Sequence, residues 1–221
     1  MKAFYITLGL VAVVGVGILG YLMTRPADTG IPANIVISPS DTAGFAGYLL
    51  GSDSAIVEVT EYSDYQCPFC QGFALIQFPT VKERLIDAGL VRWRYRDFPL
   101  EQHPAARTAA HSTACADEQG RYWEQHHAVF EGQAEWAEAG NPAKEFRSYA
   151  GRLGLDLGAY DECMRSGRYA GRIQASVESG VRSGVNSTPT FLLNGRPATA
   201  ASVTYDRLKA VVDSLVAPAV P

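Results

Sequence analysis

Residues 56 to 70 read Ile56-Val57-Glu58-Val59-Thr60-Glu61-Tyr62-Ser63-Asp64-Tyr65-Gln66-Cys67-Pro68-Phe69-Cys70. The first half alternates apolar or β-branched residues with polar ones, the pattern of a strand. The second half closes on Cys-Pro-Phe-Cys, and beyond it Phe73, Ala74, Ile76 and Phe78 recur at helical spacing. The cysteine pair therefore falls where a strand hands over to a helix, with Pro68 suited to the first helical position. Unpaired N–H groups and a partial positive charge at a helix start stabilise a thiolate. A free cysteine titrates near ~8.5, and this setting lowers that value. Cys67 is expected to be the exposed nucleophile, and Cys70, one turn further in, the shielded partner that closes a disulfide.

A lone C-x-x-C also reads as half a zinc site. A zinc ribbon needs a second such pair, and neither Cys115 nor Cys163 belongs to one. His103, His111, His126 and His127 include one pairing of interest, His111 with Cys115 a helical turn later, but no third ligand is evident in the sequence. Packing is the expected role of all four histidines, and no metal is expected. Trp93, Trp123 and Trp136 read as core or rim aromatics.

Glu61 lies six residues before Cys67, and Thr188-Pro189 lies far downstream, just ahead of Thr190-Phe191-Leu192-Leu193. An acid, a C-x-x-C and a distant X-Pro in this order resemble the thioredoxin superfamily. The wording Glu-Tyr-Ser-Asp-Tyr-Gln-Cys-Pro-Phe-Cys, the Cys-Ala-Asp-Glu-Gln-Gly run at 115 to 120 and the Gly-Val-Asn-Ser-Thr-Pro-Thr-Phe run at 184 to 191 resemble its DsbA-like branch. The similarity covers about residues 53 to 216. It implies a thioredoxin-like α/β fold with an inserted all-helical subdomain. It also implies a cis peptide bond at Thr188-Pro189 beside the cysteines, and a proton-relaying role for Glu61 behind Cys70. Pro68, Phe69, Thr188 and Pro189 would then border the substrate. The alternation places Glu61 with Val57 and Val59, on an apolar face, which agrees with burial. Phe69 departs from the enterobacterial DsbA pattern, which has histidine there. Losing that donor implies a milder oxidant, and Phe69 equally suits an apolar contact at the substrate rim.

Four cysteines allow three pairings. The adjacent pair closes by itself, which leaves Cys115 with Cys163. They are read as a structural disulfide, in preference to two free buried thiols or a second redox pair, since nothing near them resembles a thiolate site at a helix start.

The 221 residues, 47% hydrophobic, suit one sizeable globular domain, and a formal charge of −4 without a long basic run argues against nucleic-acid binding. From Ala3 to Met23 no residue is charged, with Lys2 before the run and Arg25-Pro26 after it. That length is enough to span a bilayer, so an uncleaved N-terminal transmembrane helix is expected in preference to a removed signal peptide. Disulfide chemistry points the catalytic part to the oxidising side, the periplasm or cell exterior.

Residues 1–25 are thus assigned to the anchor or signal and 26–54, rich in Pro, Ser, Gly, Asp and Thr, to a linker, with Ala43 to Leu50 a short helical or edge piece. Residues 55–102 and 184–217 form the thioredoxin-like part, and 103–183 the helical insertion. Within these, the helix after Cys67 is expected to bend or break before Pro79 and to end at Gly89. Val91 to Phe98 alternates as a strand. Gly120, Asn141-Pro142 and Asp156 punctuate the insertion. Asn194-Gly195 is a hairpin turn signal, and Val203, Leu208, Val211, Val212 and Leu215 mark the face of a last helix.

The expectation for function is a membrane-tethered thiol–disulfide oxidoreductase that oxidises dithiols in unfolded or reduced exported proteins through a Cys67 mixed disulfide. No bound organic cofactor is required, because the cysteine pair holds the electrons. The family implies a membrane partner for reoxidation, DsbB-like or vitamin K epoxide reductase-like. A reductase or isomerase of the same fold, or a non-enzymatic thioredoxin-like module that binds a partner or delivers a metal, are the alternatives.

Overall fold

The computed structural model describes residues 13–17 and 42–216. The expected anchor therefore lies outside the described residues, apart from Val13–Gly17, as does most of the expected linker. Among the described residues no helix is long and apolar enough to cross a membrane.

Five strands form one sheet in the order β1-β3-β2-β4-β5. They are β1 (Tyr48–Leu50), β2 (Val57–Ser63), β3 (Val91–Asp97), β4 (Thr190–Leu193) and β5 (Arg196–Ala198). β2 runs parallel to β3 from Val57↔Val91 to Ser63↔Asp97 and antiparallel to β4, while β1 and β5 close the edges antiparallel. The end of the segment expected as a linker thus contributes an edge strand, Tyr48–Leu50. Asn194 and Gly195, both at positive φ, make the β4–β5 turn as the dipeptide predicts.

Paired residues of parallel neighbours point to the same face. Val57, Val59, Glu61 and Ser63 of β2 therefore share one buried face with Val91, Trp93, Tyr95 and Asp97 of β3. The helical run after Cys67 covers that face, with Phe73 and Phe78 against Trp93. On the opposite face Glu58 is gripped by Arg92 and Arg94 at 2.6 and 2.9 Å, so it is an ion-paired sheet carboxylate and not one simply facing water.

Of the bend or break expected before Pro79, the chain shows no break but a local widening of the helix. The chain stays helical as α1 (Pro68–Gly72), a π segment (Phe73–Gln77), α2 (Phe78–Val81) and a second π segment (Lys82–Ile86). A proline inside an α-helix lacks its N–H and presses on the carbonyl four residues back. The π turn before it, in which the Phe78 N–H reaches the Phe73 carbonyl, widens the backbone and lets the helix run on. Gly89, at φ 73°, ends the run, its N–H on the Ile86 carbonyl.

Helices α3 (Ala106–Asp117), α4 (Tyr122–Glu131), α5 (Gln133–Trp136), α6 (Pro142–Arg152), α7 (Leu157–Ser166) and α8 (Ala170–Arg182) lie between β3 and β4, and α9 (Tyr205–Val216) follows the sheet. Asn141 and Asp156 cap α6 and α7 as expected, their side chains accepting from Lys144 N–H and from Gly158 and Ala159 N–H. α8 passes over the sheet face opposite α1. There Gly180 is required: a Cβ would lie 2.7 Å from the Phe98 ring and 3.1 Å from Tyr62.

Cys115 of α3 and Cys163 of α7 form a disulfide in the interior of the helical layer. His111, Cys115 and Cys163 bring donor atoms within 4.8 Å of one another, supplying the third group that the sequence does not reveal. With both sulfurs in the bridge, however, no thiolate is free to bind a metal. His111 instead bonds through Nε2 to the Cys163 carbonyl at 3.1 Å.

Closing a loop of separation 48 restrains the unfolded chain. The double variant Cys115→Ala/Cys163→Ala is expected to lose about 3 kcal/mol, or about 6–12 °C in Tm. Calorimetry on both chains with Cys67 and Cys70 in the same redox state measures this, and a loss below about 1 kcal/mol would contradict a structural role for the bridge.

Candidate active site

Cys67 occupies the position before α1, in extended conformation at φ −77° and ψ 122°, and Pro68 opens the helix. Its approach is held by buried groups that the sequence did not suggest. The Cys67 N–H bonds to the Asp64 carbonyl at 3.1 Å. The Asp64 carboxylate accepts from the Gln66 and Leu100 N–H groups at 2.7 and 2.8 Å and pairs with His103 Nδ1 at 2.7 Å. From α5, Gln133 donates to the carbonyls of Tyr65 and Cys67 at 2.6 and 3.0 Å. The helical layer therefore fixes the backbone on which the sulfur sits.

Both cysteines are free thiols. Contrary to expectation Cys67 is not broadly exposed: only 4% of it is accessible, against none of Cys70, while Phe69 between them is 77% exposed. The reason is the loop before β4. The Thr188–Pro189 bond is cis, and the Cys67 thiol donates to the Thr188 carbonyl at 3.4 Å. The structure thus brings Cys67, Cys70, Phe69, Thr188 and Pro189 to one place. Glu61 lies beneath them, and Cys115 and Cys163 are in the separate cluster described above.

The two sulfurs are driven apart electrostatically. Cys67 is lowered to about 5, first by a hydrogen bond from the Cys70 thiol, against the opposing effect of burial, and then by the Cys70 N–H, the Thr188 hydroxyl and the Phe69 N–H. The helix start contributes as expected, but the partner thiol contributes more. Cys70 is raised far above the ordinary thiol range, chiefly because it is buried and then because its thiol donates a hydrogen bond to the Cys67 sulfur.

Glu61 is 3% exposed, and loss of hydration lifts it to about 7 despite the Trp93 indole N–H donating to Oε2 at 3.0 Å. Its other oxygen, Oε1, has no partner among the described residues. Asp97 is as deeply buried. The alternation that places Glu61 inward also places Asp97 inward, with Val91, Trp93 and Tyr95, so the signal for this second acid was present in the sequence. Nothing comparable announces Gln133. A groove of about 820 Å³, lined among others by Phe78, Trp123, His127 and Arg152, includes neither cysteine. Exchange between sulfurs needs an accessible edge and not a deep pocket.

Two expected outcomes follow from this geometry. The Thr188 hydroxyl is buried with no other partner, so Thr188→Val removes a donor that only the thiolate uses. The Cys67 titration, read from thiolate absorbance, should move upward from about 5, about tenfold in dissociation constant; an unchanged midpoint excludes the contact. For Glu61, raised from 4.5 to about 7, the unfolded chain releases its proton first. This disfavours folding progressively between those pH values and by a constant amount above them, about 3 kcal/mol. Glu61→Gln removes the penalty, so denaturant titration should find it more stable than the parent at pH 7 and no more stable at pH 4. Equal gains at both pH values would refute the ionisation argument.

A thioredoxin family profile matches residues 46–214. Among curated relatives, a Na(+)/H(+) antiporter NhaA 3 of Salinispora tropica is 40% identical over 150 residues, covering 67% of this chain and 22% of that protein. The chain spans about a quarter of the length of the antiporter relatives it matches. A probable disulfide bond formation protein D of Bacillus anthracis is 24% identical over 172 residues, covering 74% of this chain and 76% of that protein. Among solved structures, oxidised BdbD of Bacillus subtilis superposes with a TM-score of 0.63 at 24% identity, covering 75% of this chain and 90% of that one. DsbA of Chlamydia trachomatis gives 0.67 at 17% identity, covering 83% and 96%.

Proposed function

We propose, for a chain that belongs to the thioredoxin family, that it is a DsbA-like thiol–disulfide oxidoreductase working as an oxidase of protein dithiols outside the cytoplasm. One observation carries the direction: the two thiols of the reduced form are held so that Cys67 ionises while Cys70 keeps its proton. A reduced form stabilised in this way makes the enzyme an electron acceptor.

In the proposed reaction the resting enzyme holds a Cys67–Cys70 disulfide. A substrate thiolate attacks Cys67, the sulfur with the accessible edge, and Cys70 leaves and is protonated. The second substrate thiolate then attacks the substrate's own sulfur in the mixed disulfide. Oxidised substrate departs and Cys67 leaves as the stabilised thiolate. Phe69 offers an apolar surface beside the reacting sulfur, and the backbone around Thr188 and Pro189 can pair with an extended peptide. Such a surface suits unfolded chains, which expose apolar side chains and unpaired backbone together.

Reoxidation requires a membrane redox partner, for which a DsbB-like or vitamin K epoxide reductase-like protein is the reading. The uncharged run Ala3 to Met23 supports tethering as a single-pass protein, with the thioredoxin-like part in the periplasm or cell exterior. Ion transport is not carried over from the antiporter relatives. They share a stretch in which, among this chain's described residues, no helix is long and apolar enough to cross a membrane.

The deciding measurement is the reduction potential of the Cys67–Cys70 pair. With Phe69 in place of a charged or hydrogen-bonding neighbour, it is expected between the about −270 mV of a thioredoxin-type reductant and the about −120 mV of a strong oxidant. A value at or below the former would make the protein a reductase. In parallel, Cys70→Ser should accumulate mixed disulfides with disulfide-bonded proteins, whose bond the Cys67 thiolate opens with no second cysteine left to release it, and Cys67→Ser should form none. Equal trapping by both variants would remove Cys67 as the nucleophile.

A further inference from the structure

Helix α1 is five residues long, and no side chain caps its first N–H groups. So short a helix does not stiffen its own first turn, and the backbone of Cys67 is held by neighbours in space. Two glutamines cross between α1 and the helical insertion, in opposite directions. Gln71 of α1 donates through its side chain to the Phe130 carbonyl in the last turn of α4 at 2.9 Å, and its own N–H bonds to the Cys67 carbonyl at 3.1 Å. Gln133, the first residue of α5 and 6% exposed, spreads one NH2 group over the Tyr65 and Cys67 carbonyls at 2.6 and 3.0 Å. The Cys67 carbonyl is thus held by two donors, one from α1 and one from the insertion. We propose that Gln133 is a positioning residue of the redox pair: by pinning these two carbonyls from the insertion, it aims the Cys67 sulfur at the N–H groups of α1 and so sets the oxidising strength of the protein. The proposal rests on the thiol–disulfide reading given above.

The physical link is rotation about the bond between Cα and the carbonyl of Cys67. A carbonyl oxygen pinned by two donors does not swing, so Cys67 keeps its ψ of 122° and α1 its angle to the residues before it. In that arrangement the Cys70 thiol and the Cys70 and Phe69 N–H groups turn toward the Cys67 sulfur, with Thr188 facing it from the loop before β4. Hydrogen bonds weaken steeply as their angle closes, so a turn about ψ weakens several of these donors at once. The disulfide form has no such dependence, because its sulfurs carry no charge for the donors to stabilise. Gln133 therefore acts more on the reduced state than on the oxidised one, and only such a difference shifts an equilibrium.

A plainer role for the amide is to glue the insertion to the sheet. That task has other holders. The Tyr65 hydroxyl shares a hydrogen bond with His126 Nδ1 of α4 at 2.8 Å, and the Tyr65 ring packs on Phe130 at 4.7 Å. Gln71 makes its own link to the Phe130 carbonyl. What Gln133 adds to these is a hold on the main chain on both sides of Gln66, at the residue that bears the reacting sulfur. Glue alone would support the reduced and oxidised forms equally, and the two roles therefore predict different measurements.

The test is Gln133→Met in the full-length protein, which keeps the length of the side chain and removes both donors. The Cys67 titration is read from thiolate absorbance in the reduced form, and the redox equilibrium of the Cys67–Cys70 pair is read against glutathione. The titration should move upward from about 5 by about one unit, a tenfold weaker ionisation. The same factor of about ten should favour the enzyme disulfide in the glutathione equilibrium, a potential about 30 mV more reducing. Denaturant titration of both redox forms closes the cycle, and the reduced form should lose about tenfold more of its folding constant than the oxidised form. Equal losses in the two forms, or an unmoved titration or glutathione equilibrium, mark a purely structural amide and overturn the proposal. Gln133→Asn keeps the amide but withdraws it by one methylene, and decides the matter where Gln133→Met does not fold. It should shift both quantities in the same directions, and unmoved values overturn the proposal equally. A parent pair that never equilibrates with glutathione defeats the thiol–disulfide reading itself, while the Cys67 titration still tests the role of Gln133.

Discussion

Two sulfurs one helical turn apart sit in opposite electrostatic surroundings, and most of the fold serves to keep them so. Cys67 stands at the mouth of a helix with N–H groups and a thiol turned toward it, beneath the Thr188 carbonyl and hydroxyl. Cys70 stands in the closed interior against the sheet. The difference in hydration alone favours charge on one and a proton on the other. Every hydrogen bond between them reinforces that choice, because the thiol that keeps its proton is the donor to the one that has lost it.

That asymmetry requires rigid support on both sides. The Asp64 staple and the Gln133 amide fix the backbone entering α1, and Gln133 comes from the helical layer inserted between β3 and β4. The layer is thus more than a cover. Its own interior is tied by the Cys115–Cys163 bridge, beside which His111 serves as a neutral hydrogen-bonding ring. On the other flank the turn into β4 places Thr188 over the sulfur, and β4 is held in register by its ladder with β2.

The interior under Cys70 is costly by ordinary standards. Glu61, Ser63, Tyr95 and Asp97 all carry buried polar atoms without partners among the described residues. Such groups lower stability, and their concentration beneath one sulfur agrees with the tendency of enzymes to store destabilising chemistry at the reacting centre. Stability is recovered elsewhere, in the aromatic packing of Phe73, Phe78, Trp93 and Phe191 and in the interior of the insertion.

The sequence alone determined the elements whose cause is local. Strand alternation, the Cys-Pro-Phe-Cys helix start, the Asn141 and Asp156 caps and the Asn194-Gly195 turn follow from backbone preferences and periodicity within a few residues. The inward phase of Glu61 was legible for the same reason, and that of Asp97 could have been read by the same rule. Only the tertiary structure decided what depends on chain brought from far away. The loop at Thr188 recesses a sulfur that local pattern would leave exposed, and Gln133 anchors a backbone more than sixty residues earlier. The path through Pro79 belongs here too, since packing against Trp93 and Trp123 holds a widened helix that local preference would have ended. Hydration, and hence the charge each sulfur and acid carries, is a property of the assembled interior, because water is excluded by the whole fold and not by the neighbours in sequence.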